Sequence, residues 1–133
     1  MSTETNKALA RRYTLEPWVH GKLETFDELC GLKFVHYSPD GSTRDAKSFK
    51  SAVADWRRAM PDLNLTIHEI VAEGDLVIYR WSQTGTHLGE LEGIKPTGKK
   101  VSSHGITILR FADGKVVEDR YDSGGPSFKE QVS

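Results

Sequence analysis

A chain of 133 residues with 37% hydrophobic and 28% charged side chains suits a single compact domain, 1–133, that buries about two thirds of its unfolded surface. Eighteen Lys and Arg against nineteen Asp and Glu give a formal net charge of -1 with the basic residues scattered, which excludes the electrostatic footprint of a nucleic-acid binder. A lone cysteine, Cys30, excludes an internal disulfide, apolar runs such as 76–79 are too short to span a membrane, and the polar start M-S-T-E-T-N-K has no signal-peptide core; a soluble protein of the reducing cytoplasm is expected.

Leu9 and Tyr13 stand four apart, the spacing of one helix face, and Pro17 bends or ends that pattern near Trp18. Leu23, Phe26, Leu29 and Cys30 repeat at threes and fours and predict a short second helix, stopped by Gly31 before an extended segment from Phe34 to Tyr37. S-P-D-G at 38–41 is turn chemistry. Asp45 is a good N-cap for a third helix carrying Phe49, Val53, Trp56 and Met60 on one stripe and ended by Pro61. The period then falls to two, with Leu63, Leu65, Ile67 and, after Glu69, Val71 on one face, which predicts a strand. E-G-D at 73–75 turns it into a second strand to about Thr84. Residues 85–98 form an irregular connection, and 101–111 and 116–121 make two more strands joined through A-D-G-K, with regular structure ending after Ser123 at G-G-P. Helices followed by a meander predict an α+β fold: a curved mixed or antiparallel sheet wrapped over N-terminal helices and enclosing a conical pocket. No repeat or linker suggests a second domain.

Several motifs in order carry a specific resemblance. They are A-R-R-Y at 10–13, F-V-H-Y-S-P at 34–39, M-P-D-L at 60–63, A-E-G-D-L-V at 72–77, G-T-H-L-G-E-L-E-G-I-K-P-T-G-K at 85–99 and D-G-K-V-V-E at 113–118. The chain resembles the SnoaL-like polyketide cyclases, a branch of the nuclear transport factor-like cone fold. That resemblance implies a mostly apolar pocket and an intramolecular aldol ring closure of a polyketide ester, started by removal of a carbon-bound proton, with no organic cofactor and no metal. It also implies a small hydrophobic carbonyl-containing substrate. Its general base, an Asp on the last strand, falls here on Tyr121, and the His that bonds that Asp falls on Thr107. Both members of the dyad are therefore replaced.

A tyrosine with an ordinary pKa of about 10 is a poor base at neutral pH, whereas burial tunes a carboxylate upward into a useful range. Asp119 lies two residues before Tyr121 and shares its face; Asp122 points the other way. Asp119 is thus the expected base and Tyr121 an acid or orienting group. His87 keeps its family position in G-T-H-L-G and is the expected contact to a substrate carbonyl or oxyanion. Trp18, His36, Tyr37, Arg80 and Thr107 complete the expected substrate wall, Arg80 as an oxyanion clamp or a partner for Asp119. Where relatives carry Asp-His, this chain has His36-Tyr37, which moves the imidazole by one residue and so to the other face of a strand. R-W-S at 80–82 lacks the Arg-x-Asp pair of the limonene epoxide hydrolase branch.

The five histidines show neither i, i+4 spacing nor an attendant carboxylate cluster, so no metal site is expected. The expected function is a cofactor-independent acid/base enzyme of cyclase type. Its alternatives are a non-catalytic ligand-binding or dimerisation module, and a related isomerase, dehydratase or hydroxylation-assisting protein. Ile106 and Ile108, alternating with Thr107, give the sheet an apolar outer face on which a homodimer is expected.

Overall fold

The computed structural model describes residues 2–133. Its elements are α1 (Thr3–Trp18), α2 (Glu24–Leu29), β1 (Cys30–Tyr37), β2 (Thr43–Arg44), α3 (Ala46–Ala59), β3 (Asn64–Glu73), β4 (Leu76–Thr86), β5 (Lys100–Ala112), β6 (Lys115–Gly124) and α4 (Phe128–Val132). One six-stranded sheet, in the order β2-β1-β6-β5-β4-β3, is antiparallel except where β1 runs parallel to β6. The helices pack across one face of this curved sheet, giving the expected α+β cone.

Local chemistry explains most of the elements. Ser2 caps α1 by accepting the Thr5 N–H, and Asp45 caps α3 by accepting the Ser48 N–H. Pro17 sits in the last turn of α1, where it forgoes the bond that an N–H would make to the Tyr13 carbonyl and helps end the helix at Trp18. Asp113 and Gly114 both adopt positive φ, the requirement of the tight turn joining β5 to β6. Tyr13, Phe26, Phe34 and Phe49 form an aromatic cluster between α1, α2, α3 and β1, with ring centroids 5.2–6.4 Å apart.

Two bulges set which side chains face inward. On β3 the register with β4 slips between Ile67 and Ile70, so three steps of β3 oppose two of β4. The phase changes there: Ile70 and Ala72 turn to the core, and Val71, expected inside from simple alternation, is 59% exposed. On β6 Arg110 pairs with Glu118 but Phe111 pairs with Val116, which leaves Val117 as the extra residue. Val116 and Asp119 therefore both point inward although they stand three positions apart, an odd step.

Three sequence expectations change. The strand after α2 begins at Cys30 rather than after Gly31, and the short β2 pairs with the end of β1. The chain also does not end irregularly after Ser123. Strand β6 continues to Gly124, and Ser127 then opens α4 through a capping box with Glu130. Gln131 fastens α4 to β5 by accepting the Ser102 N–H and donating to the Ser102 carbonyl.

At Gly105 the neighbouring strands leave no room for a side chain. A Cβ there would lie 2.3 Å from the Asp122 carbonyl oxygen and 2.7 Å from Trp81 Cζ2. Gly105→Ala is expected to lower unfolding stability by about 1–3 kcal/mol, the range for overpacking a tight interior, as read by urea denaturation.

Candidate active site

Between the helices and the inner face of the sheet lies a cavity of about 660 Å³, within the range of small-molecule sites. Aromatic rings form much of its wall, from Trp18 on α1, Phe49 and Trp56 on α3, Tyr79 and Trp81 on β4 and Phe128 on α4. The segment from Gly124 to Glu130 lines its mouth.

Asp119 is the one buried carboxylate of the cavity wall, at 5% exposure. The β6 bulge turns it inward, and its neighbours in the sheet are His36 on β1 and Leu109 on β5. Tyr13 donates to Asp119 Oδ2 across 2.6 Å, and Oδ1 accepts no hydrogen bond among the described residues. Burial pushes the carboxyl up to about 7 from its ordinary 3.8, against a smaller opposing pull from the Tyr13 hydroxyl. Burial likewise raises the phenols of Tyr13 and Tyr79 above their ordinary value, so both stay protonated at neutral pH. Tyr79 Oη shares a hydrogen bond of 2.7 Å with Thr14 Oγ1.

His36 lines the cavity, stacked on Phe49 at 4.3 Å and on Tyr121 at 5.4 Å. Burial, helped by the nearby Arg44 cation, lowers its pKa to about 4, so the ring is neutral at pH 7. Its Nδ1 is enclosed without a partner among the described residues. Tyr121 is a half-buried lining residue whose phenol burial raises above its ordinary value. Thr107 accepts the Trp81 Nε1–H across 2.9 Å and lines the wall, as does Trp18.

Three expected site residues lie elsewhere. His87 is fully buried outside the cavity: the Thr97 N–H donates to its Nδ1, its ring meets Phe128 edge-on at 5.0 Å, and its backbone bonds Lys99 and Gly98. It pins the 85–98 connection and does not line the cavity. Arg80 faces outward and pairs with Glu69 across 2.6 Å, because alternation from buried Tyr79 and Trp81 puts it on the outer face. Tyr37 falls on the opposite face of β1 from His36, under the Arg120 guanidinium at 3.7 Å. Asp122 is exposed, as alternation required.

Tyr13 and Tyr79 are functional candidates that the sequence presents as ordinary core aromatics. The spacing of Leu9 and Tyr13 fixes a helix face, but nothing local announces that the face meets β6, 106 residues away. Among the described residues no group of three or more His, Cys, Asp or Glu could hold a metal ion, and no helix is long and apolar enough to cross a membrane.

The sequence model of the SnoaL-like polyketide cyclases matches residues 8–122. The chain belongs to the SnoaL-like polyketide cyclase family. One relative is the aklanonic acid methyl ester cyclase DnrD of Streptomyces peucetius, 28% identical over 127 residues, covering 90% of this chain and 83% of that protein. Among solved structures, AclR of Streptomyces galilaeus, a candidate hydroxylase, is 35% identical with a TM-score of 0.82 over 92% of this chain and 91% of its own. A candidate SnoaL-like polyketide cyclase from Jannaschia superimposes with a TM-score of 0.88 at 22% identity, covering 98% and 93%. That last likeness speaks to the fold alone.

In this SnoaL-like protein a raised carboxyl pKa links folding to pH. Folding favours the neutral acid, so the contribution of Asp119 is complete below its unfolded value near 3.8 and is lost as pH climbs through about 7. Tyr13→Phe removes the one hydrogen bond that Asp119 accepts among the described residues. It is expected to move the Asp119 midpoint up by about one to two pH units, since hydrogen bonds to charged groups contribute about 1.5–3 kcal/mol. Carbon-detected NMR titration of the carboxyl reads this, and an unchanged midpoint rules the coupling out.

Proposed function

We propose that the protein is a cofactor-independent acid/base enzyme that closes a ring in an enolisable carbonyl compound by an aldol-type reaction, in the lyase or isomerase class. The observation that carries this reading is Asp119: a carboxyl with a pKa of about 7, held in an aromatic cavity with one oxygen free of hydrogen bonds. An ionised Asp119 takes the acidic carbon-bound proton, the enolate attacks a carbonyl of the same molecule, and the protonated Asp119 returns the proton to the new alkoxide. Tyr13 holds the base and stabilises its charge. Tyr121, protonated and beside neutral His36, can donate to the developing oxyanion, and Thr107 and Trp18 shape the wall. The aromatic rings of the wall suit a small hydrophobic substrate.

A second reading has its own support. AclR, at 35% identity, is a candidate hydroxylase, and both dyad positions implied by the family resemblance, 107 and 121, carry Thr and Tyr here. The same deprotonation at Asp119 could then prepare a carbanion for oxygenation, with oxygen and electrons supplied by a partner system. Mass spectrometry separates the two readings. Ring closure leaves the mass of an ester substrate unchanged, and hydroxylation adds one oxygen.

Aklanonic acid methyl ester, taken from the name of the 28% identical relative, is the first compound to assay. Asp119→Asn is expected to lower turnover by about 10²–10⁴-fold, the usual range for a general base, while Asp122→Asn leaves it within a factor of about two. Wild-type turnover is expected to rise with pH through about 7, as Asp119 ionises. The opposite order of the two variants refutes the assignment, and retained ligand binding without turnover leaves a binding module.

We also infer a homodimer and a cytoplasmic setting. Val71, Ile78 and Ile108 are successive ladder partners on the outer face, with Ile106 beside them and Arg80, Arg120 and Asp122 at the margin. That apolar stripe with mixed charges at its edge suits self-association. Light scattering at micromolar concentration is expected to give a dimer mass, and Ile108→Asp a monomer; a wild-type monomer refutes the inference. The single thiol, Cys30, which burial pushes up to about 12, suits a reducing compartment.

A further inference from the structure

The inward row that contains Asp119 continues onto the neighbouring strand. His36 on β1 is the ladder partner of Asp119 on β6, and both side chains line the cavity. Residues paired across adjacent strands project to the same face about 5 Å apart, so an imidazole and a carboxyl stand side by side over one stretch of the chamber. They make no hydrogen bond to each other, since the one bond that Asp119 accepts among the described residues comes from Tyr13. Each is therefore free to meet a ligand.

Packing settles how the imidazole is presented. Stacking on Phe49 and Tyr121 holds the plane of the ring. Of its two nitrogens, Nδ1 is enclosed without a partner, whereas Nε2 is not enclosed and makes no hydrogen bond among the described residues. Orphaned N–H groups are rarer in proteins than under-used acceptors, so the single proton of the neutral ring belongs on Nε2, where the cavity can satisfy it. Burial and the Arg44 cation keep the ring neutral at pH 7. That neutrality matters for its neighbour: an imidazolium beside Asp119 would hold the carboxylate ionised and make it a weaker base, whereas a neutral N–H leaves the carboxyl near 7.

We propose that His36 is a further catalytic residue, whose Nε2–H holds the carbonyl oxygen beside the carbon deprotonated by Asp119 and stabilises the charge that this oxygen gains in the enolate. The proposal rests on the reading of Asp119 as the base. When a base takes a proton from carbon, the C–H electron pair forms a carbon–carbon double bond and the charge appears on an oxygen two bonds away, so base and donor must flank the ligand at neighbouring positions. His36 and Asp119 are such neighbours. His36 keeps its own proton throughout. As the ring closes, the enolate carbon bonds to the second carbonyl carbon and the charge passes to that carbonyl's oxygen, which Tyr121 faces and which Asp119 then protonates. The two oxygens thus have separate donors, His36 for the first and Tyr121 for the second.

The test combines kinetics and nitrogen NMR, with aklanonic acid methyl ester as the probe. His36→Phe keeps a flat ring for the stack but removes the donor. It is expected to lower kcat by about 10²–10³-fold, the range for one oxyanion donor, with KM little changed because the bond strengthens as charge develops. His36→Gln, which keeps an amide N–H, is expected to recover about tenfold of that loss. The Asp119 midpoint in His36→Phe is expected to stay near 7, since burial and Tyr13 set it; a merely structural histidine would shift it. Two readouts need no turnover. Nitrogen NMR is expected to place the His36 proton on Nε2 at pH 7, and that N–H signal is expected to move downfield when the ester binds Asp119→Asn. A proton on Nδ1, an N–H signal indifferent to the bound ester, or wild-type kcat in His36→Phe overturns the proposal. An ester that does not bind overturns it together with the substrate assignment. Loss of turnover in Asp119→Asn but not in His36→Phe refutes only the role of His36, and the reverse pattern refutes only the base.

Discussion

The hydrogen bond from Tyr13 to Asp119 joins the first helix to the last long strand, and much of the structure can be understood as what is required to keep it dry. A carboxyl shielded from water resists ionisation, and a single phenol donor offsets part of that resistance, which leaves the group poised near neutrality. Shielding demands that α1 seat firmly. Phe26, Phe34 and Phe49 surround the Tyr13 ring and hold it in place, so the packing of the core and the acidity of the site are the same fact seen at two scales.

Much of the fold is legible in the chain because its strongest signals are local. Asp45 ahead of a 3.6-period stripe, Pro61 behind it and Asp113-Gly114 between two alternating runs each act over a few residues, and each element forms where its punctuation predicts. The C-terminal helix shows the limit of weighting one signal over another. G-G-P reads as a terminus, yet S-F-K-E immediately after it is a capping box, and Phe128 and Val132 supply the apolar contacts that let five residues stay helical.

Site residues divide along the same line. Strand alternation by itself places Asp119 and Tyr121 together and Asp122 apart, and it equally sends Arg80 and Tyr37 outward. Naming those two as wall residues set a functional motif above the period of the strand. His87 shows a different failure, since a motif fixes where a residue lies in the chain but not which side of a loop its ring occupies. The role of Tyr13 could not be read from its helix face, because it depends on contact between distant parts of the chain and leaves no trace in local pattern.

The extra residue at Val117 has an evolutionary side. Strand side chains change faces with each single step, so a ladder that ran on without the bulge, with Val117 opposite Arg110, would turn Asp119 and Tyr121 out to solvent and bring Glu118 and Arg120 in their stead. Point substitution, by contrast, can relocate an acidic group only by even steps along the wall. The move from 121, where the family resemblance puts the base, to 119 is one such step, about 7 Å of travel. A lineage could in this way redirect its chemistry to a different carbon of the same skeleton while every backbone atom stays where it was.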